Sequence, residues 1–194
     1  MDVHEAEKDI LNIFSKYGAA WSKHKTPLPS TLTRGKLYEL YVLGIVLQEL
    51  HNRGCNITFK GRSLLFKAAP GKLKLSDPHF VVETPNGDTL WLFVDIEFNT
   101  LGQELSRATD RSRRHELDIV LVDEINDYPS YRDVWFGAEC KAHSNFRKSI
   151  IKEVLGVRRE LSGRDRKCQK YSRLTQSGTS PQVSVYASPP PSSG

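Results

Sequence analysis

Residues 115–141, HELDIVLVDEINDYPSYRDVWFGAECK, hold the two apolar segments around which the remainder of the chain is organised. Ile119 to Val122 is an unbroken run of β-branched residues and leucine, and Val134 to Phe136 is β-branched and aromatic, so Glu116 to Val122 and Val134 to Lys141 are predicted to be β-strands. A turn signal that includes a proline, Asp127 to Ser130, separates them. Each predicted strand nevertheless carries charge where a buried strand ordinarily carries none, at Asp118, Glu139 and Lys141.

These three charged residues are expected to meet at one end of the sheet. Side chains two positions apart on a strand share a face, so Glu139 and Lys141 should project together, and Asp118 can join them from a neighbouring strand. Carboxylates that lie close together repel unless a cation compensates them, and hard oxygen ligands suit Mg²⁺ or Mn²⁺. The alternative is a strand-end Asp118 beside an ordinary Glu139–Lys141 ion pair. The placement in apolar strands favours the metal site, because buried charges are costly unless paired or metal-bound.

The segments Glu116 to Leu121 and Phe136 to Lys141, followed by a predicted helix, resemble the PD-(D/E)XK, or restriction-endonuclease-like, nuclease superfamily. The resemblance covers residues 34–187, and no proline stands directly before Asp118, where the family name places one. It implies an α/β fold with a central mixed β-sheet flanked by helices, in the order α-β-β-β-α-β. An extra N-terminal helix and an extra hairpin are expected beside this core.

The same resemblance implies an Mg²⁺- or Mn²⁺-dependent endonuclease that hydrolyses phosphodiester bonds in nucleic acid, with DNA expected ahead of RNA. Asp118 and Glu139 would bind the metal, and the backbone carbonyl of Cys140 would complete its ligand set. Lys141 would assist the attacking water. The alternative function is a nucleic-acid-binding module of the same fold without catalytic activity.

One domain is expected from a chain of 194 residues of which 38% are hydrophobic. Its predicted organisation is an accessory helix at 1–25, a linker at 26–32, a core at 33–188 and a disordered tail at 189–194. Three scattered cysteines without a CxxC motif suit a reducing compartment, so the cytoplasm is the expected location. No apolar stretch is long enough to span a bilayer, and a membrane is not an expected partner. A homodimer is a candidate assembly.

A helix is predicted from Thr33 to Arg53, and it is almost wholly apolar between Leu37 and Leu50. Glu39 is the exception in its early turns. One interpretation has Glu39 favouring the helix N-terminus or pairing with Arg34 or Lys36. The other interpretation, taken from the resemblance, makes Glu39 a further metal ligand. It is slightly favoured because the remainder of this helix face is so apolar.

Residues 56–98 are predicted to be rich in strands. Short strands are expected at Ile57 to Lys60 and Ser63 to Lys67, on either side of a glycine turn. A hairpin is expected from Phe80 to Glu83 and Leu90 to Phe98, across the turn signal Pro85 to Asp88.

Asp95 and Glu97, on the second strand of that hairpin, are a rival carboxylate pair. Their spacing alone leaves them open as metal ligands in place of Asp118. The favoured interpretation is the solvated face of an edge or hairpin strand, because no lysine accompanies them in an ExK pattern.

Basic residues are concentrated after the second strand. A helix is predicted from Asn145 to Leu161, with Leu155 among its core-facing residues, and a strand from Val183 to Ala187. The segment Lys141 to Arg173 carries eleven basic and three acidic residues, a net charge of +8, against +5 for the whole chain. This charge fits contact with a phosphate backbone, and a solvated basic helix face and loop is the alternative. The residues expected to bind nucleic acid are Arg147, Lys148, Lys152, Arg164, Arg166, Lys167 and Lys170.

Overall fold

Six strands and two helices have defined bounds in the computed structural model, which describes residues 8–10, 12, 34–61, 71–106, 114–140, 155–157, 161 and 183–187. The helices are α1 (Arg34–Asn52) and α2 (Leu101–Ser106). The strands are β1 (Asn56–Lys60), β2 (His79–Glu83), β3 (Thr89–Asn99), β4 (Arg114–Val122), β5 (Val134–Cys140) and β6 (Val183–Ala187). Residues 8–10, 12, 155–157 and 161 are also helical.

The strands form one sheet in the order β1-β2-β3-β4-β5-β6, and each strand pairs antiparallel with the next. Among the described residues, parallel pairing occurs at two isolated β-bridges, one between Gly71 and Ile96 and one between Asn99 and Ser130. Helices and sheet occur together as predicted, but the prediction of a mixed sheet is wrong for these six strands. The connections at 84–88, between β2 and β3, and at 123–133, between β4 and β5, are shorter than the crossover that a parallel neighbour requires. Strands β2 to β5 follow one another as a meander.

The predicted hairpin between β2 and β3 is confirmed. The Thr84 amide donates to the Asp88 carbonyl at 2.8 Å, and the Gly87 amide donates to the Thr84 carbonyl at 3.0 Å. Gly87 has a φ of 91°, a left-handed conformation that glycine adopts without steric cost. This turn fixes the register in which Phe80 faces Leu92.

Apolar side chains form a separate core on each face of the sheet. On one face, Leu37, Leu40, Leu43 and Leu47 of α1 pack against sheet residues that include Ile119. The second core, on the opposite face, consists of Leu73, Phe93, Ile96, Phe98, Leu117, Val120, Val122, Tyr131, Val134 and Val157. The sheet is therefore covered on both sides, and polar groups on its central strands are removed from solvent.

In the two central strands, β3 and β4, the alternation of side chains between the two faces of the sheet is interrupted at Asp95 and at Asp118. We call this change the exchange of faces. In β3, Val94 belongs to the α1-side core whereas Ile96 belongs to the opposite core, although side chains two apart ordinarily share a face. In β4, Ile119 belongs to the α1-side core whereas Leu117 belongs to the opposite core. Asp95 lies at the exchange with a φ of 54°, a left-handed value that Asp tolerates better than most residues.

Backbone contacts on the outer side of β3 support this irregular strand. The Gly71 amide donates to the Asp95 carbonyl at 3.4 Å, and the Glu97 amide donates to the Gly71 carbonyl at 3.1 Å. Further along, the Asn99 amide donates to the Pro129 carbonyl at 2.7 Å. Buried backbone groups need hydrogen-bond partners, and these contacts supply them beyond the end of β2.

Several further predictions concern segments outside the sheet. Ile10, in the predicted accessory helix, is fully buried in the α1-side core. Leu155 was expected to face the core but is 53% exposed, whereas Val157 is buried. The prediction for Leu155 is therefore wrong. The strand predicted at 63–67, the linker at 26–32 and the tail at 189–194 lie outside the described residues.

Among the helices that the structure describes, none is long and apolar enough to cross a membrane.

We expect Gly137→Ala to destabilise the protein by about 1–3 kcal/mol, the usual cost of overpacking a core. A Cβ at residue 137 would lie 2.7 Å from Leu117 Cδ1, so the fully buried Leu117 side chain would have to shift within the core. Urea unfolding measures the change. Gly71→Ala is the matched control, since its Cβ would meet no atom within 4 Å. Equal stability of the two variants would contradict this account of the packing.

Candidate metal centre

Helix α1 presents Lys36 and Glu39 at the edge of its buried face. Leu37 and Leu40, which follow them in sequence, are 5% and 0% exposed and fix the helix against the sheet. The two charged side chains are three positions apart, so they lie on neighbouring positions of the helix surface. Their exposed fractions are 27% for Lys36 and 14% for Glu39, so both are largely withdrawn from solvent.

The exchange of faces in β3 and β4 brings Asp95 and Asp118 toward the same helix. The register pairs Val94 with Ile119 and Ile96 with Leu117, so the two aspartates lie between these pairs at the same level of the sheet. Asp95 is 1% exposed, although β3 is an interior strand without a solvated edge. The favoured prediction of a solvated face is therefore wrong for Asp95. That prediction assumed unbroken alternation along a peripheral strand.

Three carboxylates converge at this point. One oxygen each from Glu39, Asp95 and Asp118 lies within 4.8 Å of the other two. Lys36 Nζ donates to Glu39 Oε2 at 2.6 Å and to Asp95 Oδ1 at 2.7 Å. Asp118 Oδ2 accepts a hydrogen bond from the backbone amide of Cys140 on β5. One helix and three strands thus position the group, which we call the carboxylate cluster (Glu39, Asp95 and Asp118).

The electrostatics of the cluster reflect burial and crowding of like charges. Burial raises the pKa of Glu39, the hydrogen bond from Lys36 lowers it, and the nearby Asp118 raises it, with a net value of about 7. Burial lowers the pKa of Lys36, but its hydrogen bonds to Asp95 and Glu39 outweigh burial and raise the pKa above its ordinary value. Burial and the neighbouring Asp118 likewise raise the pKa of the Cys140 thiol. The site therefore favours cations and disfavours further negative charge.

The donor set fits a hard divalent cation. Mg²⁺ binds oxygen ligands at about 2.1 Å in octahedral geometry, which places oxygens on the same ion roughly 3 Å apart when adjacent and roughly 4.2 Å apart when opposite. The spacing of the cluster oxygens, all within 4.8 Å, is close to this range. Carboxylates are also the ligands that suit Mg²⁺ and Mn²⁺, whereas softer metals are selected by sulfur ligands.

Of the carboxylates predicted as metal ligands, two lie in the cluster and one does not. Asp118 and Glu39 belong to the cluster. Glu39 makes the predicted contact with Lys36, and its role as a metal ligand stays a prediction. Glu139 is not among the converging carboxylates. Its strand neighbours Ala138 and Cys140 both lie in the α1-side core, which places Glu139 toward the opposite face.

The remaining predicted residues are placed only in part. Cys140 contacts Asp118 through its amide hydrogen, and the metal-binding role predicted for its carbonyl stays a prediction. Lys141, the expected catalytic lysine, lies outside the described residues. So do the residues expected to bind nucleic acid, Arg147, Lys148, Lys152, Arg164, Arg166, Lys167 and Lys170.

Sequence reasoning gave Asp95 the weaker interpretation and gave Lys36 only a structural one. A signal for Asp95 was present, because an aspartate stands in the middle of the apolar run Leu92 to Ile96. Such a position is costly for a charge without a buried partner. Lys36 had no comparable signal, since a lysine near a helix start is ordinarily solvated.

A scan against protein-family models, a search of curated proteins and a search of solved structures each found no significant match.

The raised pKa of Glu39 predicts a pH dependence of stability in the presence of EDTA. The folded protein keeps a proton on Glu39 up to about pH 7, whereas the unfolded chain releases it near 4.5, so folding takes up a proton between these values. The contribution of Glu39 to the free energy of unfolding therefore falls as the pH rises through this window. Between pH 4.5 and about 7, the free energy of unfolding of the wild type should fall by on the order of 1–3 kcal/mol relative to that of Glu39→Gln.

Urea unfolding at several pH values between these limits checks this prediction. Glu49→Gln is the control, because Glu49 lies on the same helix but is 40% exposed and pairs with Arg53. Its stability profile should run parallel to that of the wild type. A parallel profile for Glu39→Gln as well would show that Glu39 does not titrate in this window.

Proposed function

We propose that the chain is a divalent-metal-dependent nuclease of the PD-(D/E)XK type, which hydrolyses phosphodiester bonds in DNA. The observation that carries the proposal is the convergence of Glu39, Asp95 and Asp118 within 4.8 Å on a covered sheet. Two of these acids, Glu39 from the helix and Asp118 from the strand, are residues that the resemblance offered as ligands. The third, Asp95, comes from the adjacent strand.

The carboxylates of Glu39, Asp95 and Asp118 would hold Mg²⁺ or Mn²⁺. When bound, such an ion polarises a phosphodiester oxygen and makes the attacking water more acidic. Asp118 is oriented for this role by the Cys140 amide, which donates to one of its oxygens. Asp95 is oriented by its left-handed backbone and its bond to Lys36. A cluster fixed in this way before the metal binds requires little rearrangement during the reaction.

The charge distribution of the sequence supports a nucleic-acid substrate. The segment Lys141 to Arg173 has a net charge of +8, so the remainder of the chain is slightly acidic. A basic segment that follows β5 in the sequence would attract the phosphate backbone, and binding would weaken as the salt concentration rises. The proposed contacts to the backbone are the seven basic residues between 147 and 170 named above.

Cleavage of supercoiled plasmid and single-stranded DNA with Mg²⁺, Mn²⁺ or EDTA tests the proposal. We expect metal-dependent cleavage by the wild type, reduced to the level seen with EDTA in Asp118→Asn and Asp95→Asn because each loses a ligand charge. Glu49→Gln is the control, since it changes an exposed acid of α1 outside the cluster. Salt-sensitive DNA binding by Asp118→Asn in EDTA would show that the variant remains folded and competent to bind.

Two outcomes would change the assignment. No cleavage by the wild type with any metal, together with salt-sensitive DNA binding, would favour the binding module without catalytic activity. Loss of cleavage in Glu139→Gln, with full cleavage by Asp95→Asn, would return the metal site to the Asp118–Glu139 pair that the sequence pattern indicated.

A further inference from the structure

We propose that Lys36 of α1 is the residue that stabilises negative charge on the phosphate during cleavage, a proposal that rests on the nuclease function proposed above. The sequence pattern gave this role to Lys141, the residue after β5. Lys36 is instead the lysine that the described structure places among the carboxylates. The catalytic lysine would then come from the helix rather than from the strand.

The position of Lys36 is fixed by its backbone and by its side-chain contacts. The neighbouring residue Leu37 is buried in the α1-side core, so this turn of the helix is held against the sheet. From there the ammonium reaches two of the three cluster residues, Glu39 at 2.6 Å and Asp95 at 2.7 Å. Asp95 belongs to β3, which is 59 residues away in the chain, so the contact depends on the packing of helix against sheet.

A phosphate oxygen bound beside the cluster would lie within reach of this ammonium. Ligand oxygens on one octahedral Mg²⁺ are separated by roughly 3 to 4.2 Å. Lys36 Nζ is already at hydrogen-bonding distance from two prospective ligand oxygens. It has three N–H donors on a flexible stem, so it can turn one donor toward a phosphate oxygen that enters next to them.

The charges at the cluster explain why the Lys36 ammonium would turn toward a phosphate oxygen once a metal ion is bound. Within the part of the chain that the structure describes, the ammonium of Lys36 contacts two of the three cluster carboxylates, Glu39 and Asp95. A divalent cation bound to the cluster would neutralise these carboxylates. The hydrogen bonds between Lys36 and the carboxylates of Glu39 and Asp95 would then be weaker. The 27% exposure of the Lys36 side chain leaves it open to an incoming substrate on the solvent side.

In the reaction, the oxygen of a water molecule forms a bond to phosphorus and one ester P–O bond breaks. The water loses a proton to solvent, and the departing oxygen takes one up from solvent, so protons and charge balance. Lys36 transfers no proton in this step. Its ammonium donates a hydrogen bond to a non-bridging oxygen, on which negative charge grows as the new bond forms.

Kinetics on plasmid DNA with Lys36→Met and Lys36→Arg test the inference, with Lys60→Met as the matched control. Lys60 is an exposed lysine of β1, outside the cluster. We expect Lys36→Met to lower kcat by about 10²–10³-fold, the usual cost of losing one donor to a developing oxyanion, with little change in KM. Lys36→Arg keeps the positive charge and should retain part of the rate. Lys60→Met should match the wild type.

Metal binding provides a readout that does not depend on turnover. Titration calorimetry with Mn²⁺, without DNA, should show that Lys36→Met binds the ion as tightly as the wild type or more tightly, because a competing cation has been removed. The same measurement shows that the variant is folded around its site. In contrast, a lysine needed only to assemble the cluster would weaken Mn²⁺ binding when it is replaced.

Chemical rescue distinguishes a lost donor from a distorted site. Propylamine added to Lys36→Ala should restore cleavage in proportion to its concentration, since the free ammonium can occupy the vacated position. No such gain is expected for Lys60→Ala.

The possible failures are separable. If the wild type cleaves DNA but Lys36→Met retains its kcat, or loses activity together with Mn²⁺ binding and without rescue, the role of Lys36 is overturned and the nuclease function stands. Loss of kcat in Lys141→Met, with an unchanged Lys36→Met, would assign the role to Lys141. Absence of cleavage by the wild type with every metal would overturn the nuclease function and the role of Lys36 with it.

Discussion

The hydrogen bonds from Lys36 to Glu39 and Asp95 are the contacts that offset the crowding of negative charge in the carboxylate cluster. Three carboxylates within 4.8 Å repel one another, and burial strengthens the repulsion because little water screens it. The ammonium of Lys36 offsets this repulsion by bonding to two of them. Burial raises the pKa of Glu39, the hydrogen bond from Lys36 lowers it, and the neighbouring Asp118 raises it.

The sheet accommodates this charge through an irregularity shared by two strands. A regular β3 would send Asp95 and Phe93 to one face and Val94 and Ile96 to the other. The left-handed backbone at Asp95 interrupts that pattern, and β4 makes a matching change at Asp118. Both aspartates can then face α1 without displacing the apolar residues before and after them. Strained backbone of this kind is common where a side chain must be aimed at a site.

The surroundings hold the irregular strands in place. Gly71 bonds to the backbone of β3 on both sides of Ile96, and Pro129 and Tyr131 hold the backbone of Asn99. Cys140 on β5 fixes Asp118 from the third strand. The cluster is therefore supported by segments that are distant in the sequence, and it can be assembled only after the sheet and α1 have packed. Rigid support of this type keeps charged groups at the distances that binding and catalysis require.

The sequence by itself determined the elements and part of the site. Alternating and continuous apolar runs located α1 and all six strands, because burial of one face imposes a period that the chain displays directly. The same reasoning singled out Asp118 and Glu39, since a charge in an apolar element needs a partner.

Only the tertiary structure decided which charges meet. The pairing of Asp118 with Asp95 rather than with Glu139 follows from the changes of face in β3 and β4, and the left-handed backbone at Asp95 leaves no period in the sequence. The antiparallel order of the strands and the contact of Lys36 with Asp95 are likewise long-range. Local patterns record how a segment is buried, whereas the identity of its neighbours depends on how the whole chain packs.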